Sequence, residues 1–265
     1  MTQELIANGR GRRSMQRETI VVTGAGHGIG KATAELLAER DIGLVVADAN
    51  EEWLAMTAEA CANRGAEVVA IAFDQRSRES VDELFERAEK RFGKIDGLAN
   101  VVGIYPAERV VEMSDEFWDN VILTNLTGLF YCCRAVLSRM LEAGKGNIVN
   151  VASIRAAVPR EGLSAYSASK GGIEAFSRVL ALEAAPKVRV NVVSPGPVLP
   201  APARDRILPE GSSLPDPAAT VAHNIPLERA AQPREIAAGI AFLLSPEASF
   251  ITGQILRING GIHMA

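Results

Sequence analysis

Seven short apolar runs punctuate this chain, and between them lie stretches whose apolar residues recur every three or four positions. ETIVVTG, IGLVVADAN, AEVVAIAFDQ, IDGLANVVG, GNIVNVAS, VRVNVVSPGPV and GQILRING are rich in β-branched residues and bounded by turn formers, so each reads as a buried strand. The stretches between them read as amphipathic helices, the first with apolar positions at Ile29, Ala32, Leu36 and Leu37. One of them, DEFWDNVILTNLTGLFYCCRAVLSRMLEAG, is apolar on several faces, which suggests burial against a sheet and against a partner subunit. Strand and helix in regular alternation predict an α/β fold, a doubly wound parallel sheet covered by helices on both faces.

Two segments stand outside this rhythm. Residues 1–17, MTQELIANGRGRRSMQR, have no apolar core of the kind a secretory signal needs and are expected to form a flexible tail, leaving 18–265 as a single domain. The stretch LPAPARDRILPEGSSLPDPAATVAHN is the most proline-rich and least regular, and a substrate loop is expected over about 197–225.

Composition changes the picture only by exclusion. With 48% apolar and 23% charged residues among 265, the chain is an ordinary globular one. A net charge of -4 and a pI of about 5.6 give no electrostatic reason for a nucleic acid or membrane partner. No uninterrupted apolar run reaches the ~18 residues that span a bilayer. Cys61, Cys132 and Cys133 lack metal-ligand spacing, so neither a metal site nor a disulfide framework is expected, and a reducing, cytoplasmic setting is. His27, His223 and His263 are scattered over loops and the tail.

The chemistry gathers where strands end, the place at which open α/β sheets bind ligands. After the first strand come Gly24, Gly26, Gly28 and Gly30, in the pattern T-G-x-x-x-G-x-G, with His27 and Ile29 inside the turn. Residues without Cβ let the backbone approach a pyrophosphate, and the helix that follows offers unpaired N–H groups. The second strand ends at Asp48, whose carboxylate suits the hydroxyls of an adenosine ribose and repels a 2′-phosphate; Ala49 follows, with no arginine there, which favours NAD over NADP. Asp74 with Gln75 after the third strand, and Asn100 with Gly103 after the fourth, are further cofactor candidates, although each would serve equally to cap a helix or close a turn. Asn125 is an amide inside an apolar run, either a satisfied core group or a link in a proton relay. Ser153 closes the fifth strand, and Tyr166 and Lys170, four apart on a helix, leave the same face one turn from each other. A cation beside a phenol favours the phenolate, so this pair is expected to exchange a proton near neutral pH.

Together, Thr23-Gly24-x-x-x-Gly28-x-Gly30, Asp48, Asn100-x-x-Gly103, Asn125, Ser153, Tyr166-x-x-x-Lys170 and Pro195-Gly196 resemble the short-chain dehydrogenase/reductase family over roughly Thr19 to Gly261. The resemblance implies a Rossmann-like sheet of about seven parallel strands in one domain and a homotetramer, or homodimer, built on paired long helices. It implies Tyr166 as general acid/base, Ser153 orienting the substrate oxygen, Lys170 depressing the phenol pKa and holding the nicotinamide ribose, and Asn125 carrying a water toward solvent. Pro195, Gly196 and Val198 would border the nicotinamide. Two departures stand out: Val101-Val102 replace the family's usual small or amide residues, and no threonine follows the Pro-Gly turn, which leaves backbone near Val198 to hold the carboxamide.

The expected activity is hydride transfer between a small secondary alcohol, or its ketone, and NAD, without metal. A reductase of oxoacyl thioesters and a non-catalytic dinucleotide sensor are the alternatives. Ile104, Tyr105, Arg155, Arg160 and the loop from Val198 are the residues expected to reach the substrate, the two arginines either binding a substrate carboxylate or forming surface ion pairs.

Overall fold

The computed structural model describes residues 17–199 and 225–264; all of the expected tail but Arg17, most of the expected substrate loop and His223 lie outside them. The first half of the chain runs β1 (Thr19–Thr23), α1 (Gly28–Leu37), β2 (Gly43–Asp48), α2 (Glu51–Ala62), β3 (Glu67–Ala72), α3 (Arg78–Phe92) and β4 (Gly97–Asn100). The second runs α4 (Asp115–Ile122), a π-helical turn (Leu123–Thr127), α5 (Gly128–Ala143), β5 (Gly146–Val151), α6 (Ser164–Ala184), β6 (Val188–Pro195), α7 (Pro233–Leu244) and β7 (Ile255–Ile258). All seven strands are parallel, in the order β3-β2-β1-β4-β5-β6-β7.

This sheet is buried on both faces, which is why its strands read as continuous apolar runs and not as alternation. On one face Leu84, Phe85, Leu129, Val136, Ile173 and Leu180 of α3, α5 and α6 pack on Val21, Val45, Leu98 and Ile148. On the other, Leu37, Leu54, Ile236, Ile240 and Leu244 of α1, α2 and α7 pack on Ile20, Val22, Val46 and Val149. Local signals start the helices where the sheet needs them: Asn50 accepts the Trp53 N–H at 2.9 Å ahead of Glu51 and Glu52, and Pro233 opens α7. The order reverses direction at β1 and β4, so the crevice beyond their carboxyl ends is the binding position of this architecture.

The helical run Asp115–Ala143 is long and apolar enough by composition to cross a bilayer, with a mean hydropathy of 1.4, although no uninterrupted apolar run is that long. Half of its most apolar window is buried within the fold, and α5 lies in the core against the sheet.

Candidate active site

The glycine turn after β1 is built by close approach. A Cβ on Gly30 would lie 1.9 Å from the Gly24 carbonyl oxygen, so the start of α1 touches the turn before it. A Cβ on Gly26 would lie 2.9 Å from the Asp48 carboxyl carbon, and the Gly26 N–H donates to Asp48 Oδ2 at 2.9 Å. The Asn50 N–H holds Oδ1 at the same distance, which fixes the carboxylate at the end of β2 beside the turn. His27 stands at the N-terminal boundary of α1 without capping it, its ring stacked on Trp53 at 4.9 Å, and no acid occupies the first turn of α1. A helix end left open behind a turn with no room for side chains fits a pyrophosphate. At the far side of the crevice, a short parallel bridge between Val198 and Ala231 engages Pro197 and Leu199, leaving the N–H and C=O of Val198 without a backbone partner among the described residues.

Ser153, Tyr166 and Lys170 meet beyond the end of β5. Ser153 is buried and accepts the Arg155 N–H at 3.2 Å, and its hydroxyl is hydrogen-bonded to that of Tyr166. Tyr105 lies edge-on against the Tyr166 ring at 4.6 Å. Lys170, 3% exposed, donates to the Val151 carbonyl at 2.9 Å, and its Nζ lies 5.7 Å from the Tyr166 ring centroid. Burial pushes the Tyr166 phenol up to about 12, against the smaller opposing effects of the Ser153 hydrogen bond and the Arg155 charge. Burial also brings the Lys170 ammonium down to about 8. The expected lowering of the phenol pKa is therefore reversed in the chain by itself: desolvation dominates, and the Lys170 charge is not among the causes that set the shift.

Asn125 is wholly buried in the π-helical turn, where the extra residue of the wider turn aims its amide across the site. Its Oδ1 accepts the Ile104 N–H at 2.8 Å, and its Nδ2 donates to the Ile104 carbonyl at 3.0 Å and to Ser169 Oγ at 3.2 Å. The satisfied-amide reading describes these contacts, which clamp the loop after β4 to α6. A Cβ on Gly103 in that loop would lie 3.2 Å from Lys170 Nζ and 3.4 Å from Asn125 Oδ1.

The family model described as enoyl-(acyl carrier protein) reductase matches residues 24–263. The 3-oxoacyl-[acyl-carrier-protein] reductase of Vibrio cholerae is 34% identical over 252 residues, 95% of this chain and 99% of the relative. The chain belongs to the short-chain dehydrogenase/reductase family. The cis-4-hydroxycyclohexanecarboxylate dehydrogenase of Sinomonas cyclohexanicum is 41% identical over 243 residues, 91% of this chain and 94% of that one. Among solved structures, a short-chain dehydrogenase/reductase from Brucella melitensis has a TM-score of 0.82 at 37% identity, covering 94% of this chain and 97% of its own. A variant of actinorhodin polyketide ketoreductase solved with NADPH has a TM-score of 0.86 at 34% identity, covering 93% and 97%.

Within this short-chain dehydrogenase/reductase fold, Gly24, His27, Gly28, Ile29, Gly30 and Asp48 lie together at the β1 and β2 ends, and Gly103, Asn125, Ser153, Tyr166 and Lys170 gather at the β4 and β5 ends. Pro195 closes β6, and Gly196 packs on Asn259, its N–H donating to the Ile258 carbonyl at 2.9 Å. Three cofactor candidates have their side chains engaged elsewhere. Asp74 is bound by the guanidinium of its neighbour Arg76, at 2.8 Å. Gln75 is buried and donates to the Thr124 carbonyl at 2.9 Å, locking the π-helical turn. Asn100 turns into the core and donates to Asn150 Oδ1 at 2.8 Å. Tyr105 against Tyr166 and Trp53 against His27 are contacts that spacing did not single out, because both join residues from different strand ends.

Holding Lys170 buried and cationic costs stability. Its folded pKa of about 8 lies below the unfolded value of about 10.4. Below pH 8 both states carry the proton and the whole cost is in force; between about 8 and 10 the folded state is already neutral, so stability from this group rises with pH. Lys170→Met is expected to be roughly 1–3 kcal/mol more stable than wild type at pH 7, the gap narrowing toward pH 10. Thermal melts at the two pH values check it, and a variant that melts lower at pH 7 contradicts it.

Proposed function

We propose that the chain is an NAD-dependent oxidoreductase that moves a hydride between a small secondary alcohol, or its ketone, and nicotinamide, with Tyr166 as general acid/base. The observation that carries this reading is the hydrogen-bonded hydroxyl pair of Ser153 and Tyr166 with Lys170 one turn along α6, at the carboxyl edge of the sheet. The dinucleotide, when bound, supplies the hydride donor or acceptor. Gly24, His27, Gly28, Ile29 and Gly30 would hold its pyrophosphate, Asp48 a ribose, and Gly103, Tyr166, Lys170, Pro195, Gly196 and Val198 its nicotinamide end.

The chain's own groups then divide the work. With its pKa pushed up to about 12, Tyr166 holds its proton at neutral pH and is set to donate it to a carbonyl oxygen as charge develops there. Ser153 offers a second hydrogen bond to the same oxygen, and a fixed pair of donors favours the charged transition state over the neutral ketone. In the reverse direction the Tyr166 oxygen takes up the alcohol proton. The Lys170 ammonium keeps positive charge under the phenol ring.

NAD in preference to NADP rests on Asp48, whose carboxylate repels a 2′-phosphate. Asp48→Ala is expected to shift the ratio of kcat/KM for NAD over NADP by roughly tenfold to a hundredfold toward NADP, the range of one charged contact. Steady-state kinetics with both cofactors measure it, and an unchanged ratio defeats the assignment. The function itself is tested by screening secondary alcohols and ketones with each cofactor and following the reduced ring by absorbance.

A second reading, reduction of an oxoacyl thioester, is favoured by the relatives named as 3-oxoacyl-[acyl-carrier-protein] reductases. A 3-oxoacyl thioester in the same screen decides between them. The oxidised cyclic hydroxy acid in the name of the Sinomonas relative favours the first. A homotetramer or homodimer accords with apolar side chains left exposed on the long helices, among them Trp118, Phe130, Val179 and Leu182. A cytoplasmic setting accords with Cys61, Cys132 and Cys133, all buried and unpaired.

A further inference from the structure

The helix that carries Tyr166 and Lys170 begins without a cap. Leu163, at the N-terminal boundary of α6, provides no side-chain acceptor, and no acid stands in the first turn. The Ser164 hydroxyl, at the first helical position, is buried with no partner in the fold. Leu163, Ser164 and Ser167 line an open cleft of about 560 Å³, bordered also by residues 155–157 and 159–162 and by Glu108 and Val110.

The charges on its wall, Glu108, Arg155, Arg160 and Glu161, are unequally served. Arg109 engages both carboxylates: its guanidinium pairs with Glu161 and its N–H donates to Glu108 Oε1 at 3.2 Å. Arg155 has no acidic partner among the described residues, and its guanidinium reaches only the Val158 carbonyl, at 3.5 Å. The same residue's N–H is fixed on Ser153 Oγ at 3.2 Å, and its charge acts on the Tyr166 phenol, so the guanidinium stands next to the catalytic hydroxyls. A half-buried guanidinium with a single long bond, an open helix end and an unpartnered hydroxyl are jointly complementary to an anion. Glu108 and Glu161 on the same wall offset the charge of Arg155 and Arg160 and so disfavour a doubly charged phosphate, whereas a planar singly charged group suits the Arg155 fork.

We propose that this cleft receives a carboxylate of the substrate, read by Arg155, so that the enzyme acts on a secondary alcohol or ketone that is also a carboxylic acid. The proposal rests on the oxidoreductase reading above and names the substrate class of that site. The Ser164 hydroxyl joins the anion by turning about its Cα–Cβ bond, and Arg155 is the specificity-determining group.

The test reads binding without turnover. Cyclohexanecarboxylate, which has the acid and no alcohol, is titrated calorimetrically into the full chain, with and without NAD; cyclohexanecarboxamide and inorganic phosphate are the comparison ligands. Wild type is expected to bind the acid saturably and to bind neither comparison ligand at the same concentrations. Arg155→Gln is expected to bind the acid roughly tenfold to a hundredfold more weakly, the range of one lost charge-assisted bond, and Arg155→Lys to fall between. Equal affinity for acid and amide, tighter binding of phosphate, or unaltered acid affinity in Arg155→Gln overturns the proposal. Should Arg155→Gln fail to fold, Arg155→Lys and the acid-to-amide comparison in wild type still decide it. A chain that binds the acid through Arg155 and yet oxidises no alcohol would refute the catalytic reading while leaving the carboxylate site standing.

Discussion

Tyr166→Phe is expected to lower turnover by about a thousandfold while dinucleotide affinity stays within a few-fold of wild type. The substitution removes one oxygen and one proton and leaves the ring, so the edge-on contact with Tyr105 at 4.6 Å remains. What is lost is the acid/base group itself and the hydrogen bond to Ser153. Stability is expected to fall by about 1 kcal/mol at most, the net worth of the one hydrogen bond to Ser153 that is deleted. Two measurements make the case together: the steady-state rate on any active substrate, and titration of the reduced cofactor by its fluorescence. A variant that keeps its rate would show that some other group transfers the proton, and one that loses cofactor binding as well would show a structural role instead.

The second large effect is expected at Gly30. A methyl group there would sit 1.9 Å from the Gly24 carbonyl oxygen, a backbone atom that cannot swing aside. For Gly30→Ala the turn and the first turn of α1 must separate, at a cost of about 3 kcal/mol by analogy with overpacked cores. That corresponds to a melting temperature lower by roughly 6–12 °C, taking 2–4 °C per kcal/mol for a large domain. Dinucleotide affinity should fall by at least about a hundredfold, since N–H groups aimed at a pyrophosphate work only when the turn keeps its shape. Gly171→Ala provides the contrast. Gly171 lies inside α6 with nothing within 4 Å of where its Cβ would be, so the change should raise stability by about 0.5–1 kcal/mol through helix propensity. Melts and cofactor titrations on the two variants separate a packed glycine from a spare one; similar behaviour in both would remove the steric argument for the turn.

The layout of strands and helices was legible because burial on both faces writes each strand as a solid apolar run, and the Tyr166 and Lys170 pair because helical spacing needs no tertiary information. Other features depend on contacts that no spacing encodes. Asp74 looks like a free carboxylate at a strand end until Arg76, two residues on, folds back over it. Gln75 and Asn100 sit at the right places along the chain, but pleat and packing turn their side chains inward, to Thr124 and Asn150. The polar interruption at Asn125 was visible, whereas the widened turn that aims it at Ile104 was not, since one extra residue in a helix leaves no compositional mark. The direction of the Tyr166 shift is hidden for a related reason: helical adjacency of a cation can be read from sequence, and the depth of burial that sets the shift cannot.

The tight meeting of Gly103 with Lys170 and Asn125 sets a direction for anyone who would re-engineer substrate range. Any side chain at Gly103 must push the Lys170 ammonium aside, so diversity placed there perturbs the catalytic lysine before it alters the substrate. The 156–163 stretch borders open volume instead, and variation there can reshape what enters while the proton-handling groups stay where they are.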